Sequence, residues 1–198
     1  MSAAPRTTWW GWHRLTDDWA RRLVARAHIE PGDLVLDIGA GTGAITSRLV
    51  DAGARVLAVE MHPGRAGELR RRFAGHPVTV VQRDAAQLHL PRQQFHVVAN
   101  PPFAITTALL RRLLDPRGGL QRAELVLPRH AAVRWASGRG RDVGRWSTTY
   151  GVTLAGRVPR SAFLPMPQDD AAVLSITRRS PARAVQGPEC AGGRRGRP

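Results

Sequence analysis

From Asp33 onward, short apolar runs alternate with amphipathic segments, and this alternation restricts the fold more than any other feature of the chain. "DLVLDIGAG", "RVLAVE", "VTVVQRD", "FHVVANPPF" and "AELVLPR" read as strands. Between them "AITSRLVDAG", "GRAGELRRRF" and "ITTALLRRLL" carry apolar residues at helical spacing. Apolar strands joined by helices are βαβ units of a parallel sheet covered on both faces. A leading helix is expected over residues 16–27, with Trp19, Leu23 and Ala27 on one face, and "HAAVRWAS" reads as a helix after Arg129. The β-prone runs "STTYGVTLAGRVPR" and "AAVLSITRR" suit a closing hairpin at one edge of the sheet. The 198 residues hold a single α/β domain over residues 16–179. A basic, aromatic segment precedes it (1–15). Residues 180–198 have almost nothing to bury and are expected to be disordered.

"LVLDIGAGTGAIT" places Gly39, Gly41 and Gly43 where the first strand of this series turns into a helix, so that the backbone can approach a ligand closely. Gly39, Gly41 and Ala44 also satisfy a dinucleotide fingerprint, with Glu60 at the end of the next strand where a ribose would be held. A pyrophosphate, however, wants bare N–H groups and no nearby anion, and Asp37 sits just before the glycines. A carboxylate there suits a ligand with an ammonium group. S-adenosylmethionine has such a group, a ribose and no phosphate. Asp84, at the end of the following strand, would accept from an adenine amino group. Asp37, Glu60 and Asp84 are thus expected to contact the methionine amine, the ribose and the adenine in turn; capping of the following helices is the plainer role for such acids.

"VVANPPFAITT" runs an apolar strand straight into an amide, two prolines and an aromatic ring. An adenine amino group is a poor nucleophile because its lone pair is delocalised into the ring. Acceptors that hold both of its N–H bonds favour a pyramidal nitrogen. The Asn100 side-chain oxygen and the Pro101 carbonyl can accept those bonds while Phe103 stacks on the base. The pattern points to methylation of an exocyclic amine, with an unstacked adenine as the cheapest substrate.

The 30 basic against 15 acidic residues give a formal net charge of +15, which points to a polyanionic partner, nucleic acid first. The absence of lysine reflects coding bias and does not explain the imbalance. The single cysteine, Cys190, argues against a disulfide framework and a cysteine-based metal site, and no metal is expected. With no signal-like start and no apolar window of membrane-spanning length, the expectation is a soluble, cytoplasmic protein without a membrane partner, acting as a monomer.

"VLDIGAGTGAIT", "VLAVE", "RDAAQL", "VVANPPF" and "VPRSAFLPMPQDDAAVLSITRR" together resemble the rRNA adenine N6-methyltransferases, a family that includes the erythromycin-resistance methylases and the small-subunit rRNA dimethyltransferases. The resemblance runs from about Trp12 to Arg179. It implies a class I S-adenosylmethionine-dependent methyltransferase fold, Rossmann-like, with a seven-stranded, mostly parallel sheet. By position it implies cofactor contacts from His13, Leu15, Gly39, Glu60, Asp84, Ala85 and Asn100, and base contacts from Asn100, Phe103 and Phe163 as a second aromatic face. Trp12, His13 and Arg14 stand where the family has Gln, Asn and Phe. The family's C-terminal helical domain has no counterpart in this sequence, so target selection is expected to rest on arginines. The candidates are Arg21, Arg22 and Arg26 on the first helix, Arg111 and Arg112 after the active-site loop, and Arg134, Arg139, Arg141 and Arg145 beside Trp135 and Trp146.

The function implied is methyl transfer to N6 of an adenine in the peptidyl-transferase loop of 23S rRNA, with resistance to macrolides, lincosamides and streptogramin B as the consequence. The alternatives are methylation of another rRNA, of DNA or of a protein amide, and a non-catalytic rRNA-binding protein of the same fold.

Overall fold

The computed structural model describes residues 13–139 and 143–179, so the expected disordered tail, Trp12 and Arg141 lie outside the described residues. The chain opens with a two-residue strand β1 (Arg14–Leu15) and helix α1 (Asp17–Ala27). Asp17 and Asp18 complement the positive end of the α1 dipole, and His28 closes the helix in the left-handed region at φ 49°.

The alternating core follows as β2 (Leu34–Ile38), α2 (Ala44–Asp51), β3 (Arg55–Val59), α3 (Pro63–Arg72), β4 (Val78–Val81) and β5 (Phe95–Ala99). Pro63 opens α3 at a position where its missing N–H costs nothing, and the His62 ring caps the Arg65 amide. Then come α4 (Thr106–Leu113), β6 (Leu120–Pro128), α5 (Arg129–Ala136), the single turn α6 (Val143–Trp146), β7 (Tyr150–Val158), β8 (Phe163–Leu164) and β9 (Ala171–Arg178).

Seven strands form one sheet in the order β4-β3-β2-β5-β6-β9-β7. Only β9 runs antiparallel to its neighbours, as the expected mostly parallel sheet requires. The closing antiparallel pair lies at one edge as expected, with β9 inserted between β6 and β7 and the earlier strand outermost. Burial gives the reason: Ala171 to Ile176 are all buried and need cover on both sides, whereas β7 is exposed along much of its length.

Strand alternation sends side chains to two cores. Val35, Val56, Ala58, Val98 and Val126 pack beneath α1 and α2, whereas Leu36, Ile38, Val97, Leu125 and Leu127 pack against α4 and α5. The order reverses between β2 and β5, and the crevice beyond the carboxyl ends of those strands is where a ligand fits in such a sheet.

Candidate active site

A cavity of about 400 Å³ opens at that crevice, lined by Gly39 after β2, Val59, Glu60 and Met61 at the end of β3, Asp84 and Ala85 after β4, and Asn100 to Ile105 after β5. His13, Arg65 and Arg83 complete the wall. The glycine turn and the "NPPF" loop, 61 residues apart in the sequence, lie against each other. Gly39 sits at φ +81°, and a Cβ placed on it would come within 3.1 Å of Pro102 Cδ and 3.4 Å of Pro101 Cα. Glycine is therefore needed both for the backbone conformation and for the approach of the prolines.

Asn100 donates from Nδ2 to the main-chain carbonyl of His13 at 2.6 Å. A carbonyl can only accept, so this contact fixes which end of the amide is which and leaves Oδ1 as a free acceptor. The His13 ring bonds the Pro165 carbonyl at 2.9 Å, and β1 pairs with β8 through Arg14 opposite Leu164 and Leu15 opposite Phe163. The segment before α1 thus reaches the site through the His13 main chain, which orients Asn100, and through the His13 ring in the wall.

Glu60 is 4% exposed, and its carboxylate accepts from Gly41 N at 2.9 Å, His62 N at 2.8 Å and Arg65 Nη2 at 2.9 Å. A carboxylate offers about four acceptor sites, so Glu60 keeps room for a ligand hydroxyl in a fixed orientation. The same contacts argue against a dinucleotide, because the Gly41 amide, which a pyrophosphate would use, is already held by an anion. Asp84 takes the capping role, with Oδ1 accepting from Ala86 N at 2.8 Å at the turn over residues 85–87, and the residue also lines the cavity. With its apolar walls, two acids and a close-packed glycine, the cavity fits a nucleoside with a cationic tail.

Asp37 lies beneath the turn and not in the cavity wall. It shares the face of β2 that carries Val35, so its carboxylate enters the layer of α2 and accepts from Thr46 Oγ1 at 2.6 Å. Burial pushes this carboxyl up to about 7, against the lowering effect of its hydrogen bonds from Thr46; the Glu60 charge adds to the rise. Its Oδ1 has no hydrogen-bond partner.

Four other expectations are corrected. Phe163 is fully buried beneath the sheet with Leu15, so it offers no face to a base, and Leu15 itself does not reach the cavity. Alternation along β8 turns Phe163 inward and Leu164 outward. Gly41 serves the site through its amide on Glu60 and is not a wall residue. The Arg112 guanidinium donates to the Ala86 carbonyl at 2.7 Å and to the Leu88 carbonyl, tying α4 to the Asp84 turn where an RNA contact was expected.

Trp146 is 5% exposed and belongs to the core, with Trp135 at a centroid distance of 6.2 Å, so the arginines nearby are not interleaved with free aromatic faces. Arg111, Arg134, Arg139 and Arg145 are exposed. On α1, Arg22 pairs with Asp18 at 2.9 Å and Arg26 lies 3.6 Å from the buried Glu124. Sequence reasoning passed over Arg65 and Pro102. Arg65 could have been found as the first basic residue of the helix that follows Glu60.

The family model described as ribosomal RNA adenine dimethylase matches residues 15–186 of the chain. The rRNA adenine N-6-methyltransferase of Bacillus licheniformis is 35% identical over 164 residues, covering 81% of this chain and 57% of the relative. Mycinamicin-resistance protein MyrB of Micromonospora griseorubida is 40% identical over 149 residues, covering 74% and 47% respectively. Ribosomal RNA small subunit methyltransferase A of Anaeromyxobacter dehalogenans is 35% identical over 197 residues, covering 90% and 68%. The crystal structure of 23S rRNA methyltransferase ErmE superposes with a TM-score of 0.77 at 29% identity, over 84% of this chain and 70% of that one. The chain thus spans about half the length of the first two of these relatives.

Proposed function

The chain belongs to the ribosomal RNA adenine dimethylase family, and from that premise we propose that it transfers methyl groups from S-adenosylmethionine to N6 of an adenine in rRNA. Its sheet has the class I S-adenosylmethionine-dependent methyltransferase fold. The observation that carries the proposal is the hydrogen bond from Asn100 Nδ2 to the His13 carbonyl, which holds Asn100 Oδ1 as an acceptor beside Pro101 and Phe103.

When bound, the cofactor supplies an electrophilic methyl group on a positive sulfonium. Glu60 and Asp84 would hold its ribose and adenine, and the Gly39 turn would let a ligand approach the backbone. Asn100 Oδ1 and the Pro101 carbonyl accept the two N–H bonds of the target amine and free its lone pair for in-line attack, while Phe103 stacks on the base. The extra proton on the methylated nitrogen is acidic and leaves to solvent, so no side chain is needed as a general base. The +15 charge supports a polyanionic substrate.

We propose further that the target is the macrolide-binding adenine of the 23S rRNA and that methylation confers resistance to macrolides, lincosamides and streptogramin B. Similarity to a mycinamicin-resistance protein and to a 23S rRNA methyltransferase supports this target. The longer match to a small-subunit methyltransferase favours a second reading, methylation of 16S rRNA. The proposed setting is the cytoplasm, with the enzyme acting as a monomer.

Methylation of protein-free 23S and 16S rRNA side by side with labelled S-adenosylmethionine, mapped by reverse-transcription stops and mass spectrometry, tests both. Label on a peptidyl-transferase-loop adenine is expected. Label confined to 16S rRNA would replace the target, and label on neither, with the cofactor bound, would overturn the rRNA reading.

A further inference from the structure

The segment between β8 and β9 presents two apolar side chains to solvent: Met166 is 63% exposed and Leu164 52%, more than any other large hydrophobic among the described residues. Neither lines the cavity, and neither belongs to either core. The backbone that carries them is held firmly. Prolines stand at 165 and 167, the Pro165 carbonyl is bonded by the His13 ring at 2.9 Å, and the Pro167 carbonyl accepts from Arg160 Nε at 2.7 Å. Their place is equally defined, since His13 lines the cavity and its carbonyl orients Asn100. Two exposed apolar groups therefore project from a rigid rim one residue to either side of the carbonyl that ties this rim to the reacting site.

The surroundings are cationic. Arg14 lies opposite Leu164 across the β1–β8 pair, Arg160 braces the segment, and Arg129 follows at its far end, where its amide donates to the Asp170 carbonyl at 2.8 Å. Of the acids nearby, Asp170 is paired with Arg157 at 3.1 Å and Asp17 with Arg14 at 3.4 Å; Asp169 is exposed. An apolar projection on a basic rim suits the interior of a nucleic-acid stack, whose bases are apolar on their faces and whose backbone is anionic.

We propose that Leu164 and Met166 form a wedge that enters the rRNA stack and fills the gap left by the adenine drawn into the cavity. The proposal rests on the rRNA adenine methylase reading above. Extraction of a base costs its stacking, and that cost is smallest for a base that is already unpaired. A side chain that replaces the lost stacking lowers the cost only when the target begins inside a stack. The wedge therefore acts on substrate choice and not on the chemical step.

The test uses two RNA hairpins based on the loop that the wild-type protein methylates, identical except that the target adenine faces a uridine and is stacked in a pair in one, and has no opposing nucleotide and is bulged out in the other. Steady-state kcat/KM is measured on both for wild type, Leu164→Ala, Met166→Ala and the double variant. The expected result for the double variant is a fall of about 10–100-fold on the stacked adenine, the size of a few kcal/mol of unstacking. The bulged adenine should lose so much less that the ratio of the two values changes about tenfold or more. Met166→Leu should restore most of the ratio.

With 2-aminopurine in place of the stacked adenine, wild type should raise the fluorescence and the double variant should not. An unchanged ratio, or an equal fall on both RNAs, would overturn the wedge while leaving the methylase reading in place. Failure of the wild-type protein to methylate any rRNA, from which the hairpins are chosen, would overturn the reading and the wedge with it, whereas a wild-type protein that methylates only the bulged adenine would overturn the wedge alone.

Discussion

The two ends of the parallel sheet both carry polar residues but use them in opposite ways. At the amino ends, Arg178 donates to the carbonyls of Leu120 (2.9 Å), Pro116 (3.2 Å) and Gly118 and to the Tyr150 hydroxyl (2.9 Å), and lies over the Tyr150 ring at 5.0 Å. Asp115 and Arg117 pair at 3.2 Å beside it. The open cleft there, lined by Arg117, Arg178 and Arg179, has the look of an anion site, yet its central guanidinium is committed to holding the 116–120 loop. At the carboxyl ends the polar groups are held just as firmly but keep an acceptor for a ligand: Asn100 has Oδ1, and Glu60 has a remaining lone pair. Arginine density alone does not mark a binding surface; what counts is whether the donors are already engaged.

The sharpest test of this contrast is Asn100→Ala, which removes the acceptor together with the bond to the His13 carbonyl. Turnover should fall about 10²–10³-fold, as for loss of one preorganised hydrogen-bonding group. S-adenosylmethionine binding, measured by calorimetry, should weaken much less. Turnover within a few-fold of wild type would mean that another group holds the target amine.

At the opposite end, Arg178→Ala should cost about 2–3 kcal/mol of stability in urea titrations, because it strips charge-assisted bonds from several carbonyls. kcat at a permissive temperature should stay close to wild type. A large loss of RNA affinity at unchanged stability would turn this end into a binding surface and break the comparison.

Asp37 belongs to neither group, since its carboxylate is buried and only partly satisfied. Its folded value of about 7 lies above the unfolded value of 3.8, so the native state holds the proton more tightly and stability falls as pH rises from about 4 to 7. Asp37→Asn has no such proton. Between those pH values the Tm of wild type should drop by roughly 10–15 °C relative to the variant, as follows from about 1.4 kcal/mol for each unit between the two values and about 2–4 °C per kcal/mol for a chain of this size. Parallel Tm curves would show that Asp37 is ionised in the folded protein.

The smallest effect is expected from His13→Ala. The bond that orients Asn100 comes from the main chain and survives the substitution, so kcat should be unchanged. Loss of the ring contact to Pro165 should raise KM for S-adenosylmethionine about two- to fivefold, in line with one neutral hydrogen bond of about 0.5–1 kcal/mol. A hundredfold fall in kcat would mean that the ring itself does catalytic work.

What could be read in the sequence followed from short-range periodicity. The five parallel strands, their helices, the glycine turn and the Asn100 loop each carry their signal within about ten residues, because strand and helix periods are local and a strand-end turn needs its glycines or prolines in place. The cavity acids Glu60 and Asp84 were legible for the same reason: each follows the end of a strand.

Side-chain direction was not legible. The sequence places Phe163 and Leu164 side by side, and only the pairing of β8 with β1 turns the aromatic ring into the core and the leucine out to solvent. Likewise the order β6-β9-β7 depends on which strand gains more from cover on both faces. Arg112 became a brace because α4 comes to lie beside the Asp84 turn, a partner 26 residues away.

The sequence by itself determined the α/β architecture, the cavity's position at the strand ends and the chemistry of the groups that line it. Tertiary structure alone decided which of those groups keep free acceptors, which arginines are already engaged, and that the main chain of His13 sets the Asn100 amide. Those outcomes depend on contacts between residues far apart in the chain, and a periodic pattern carries no information about partners it does not contain.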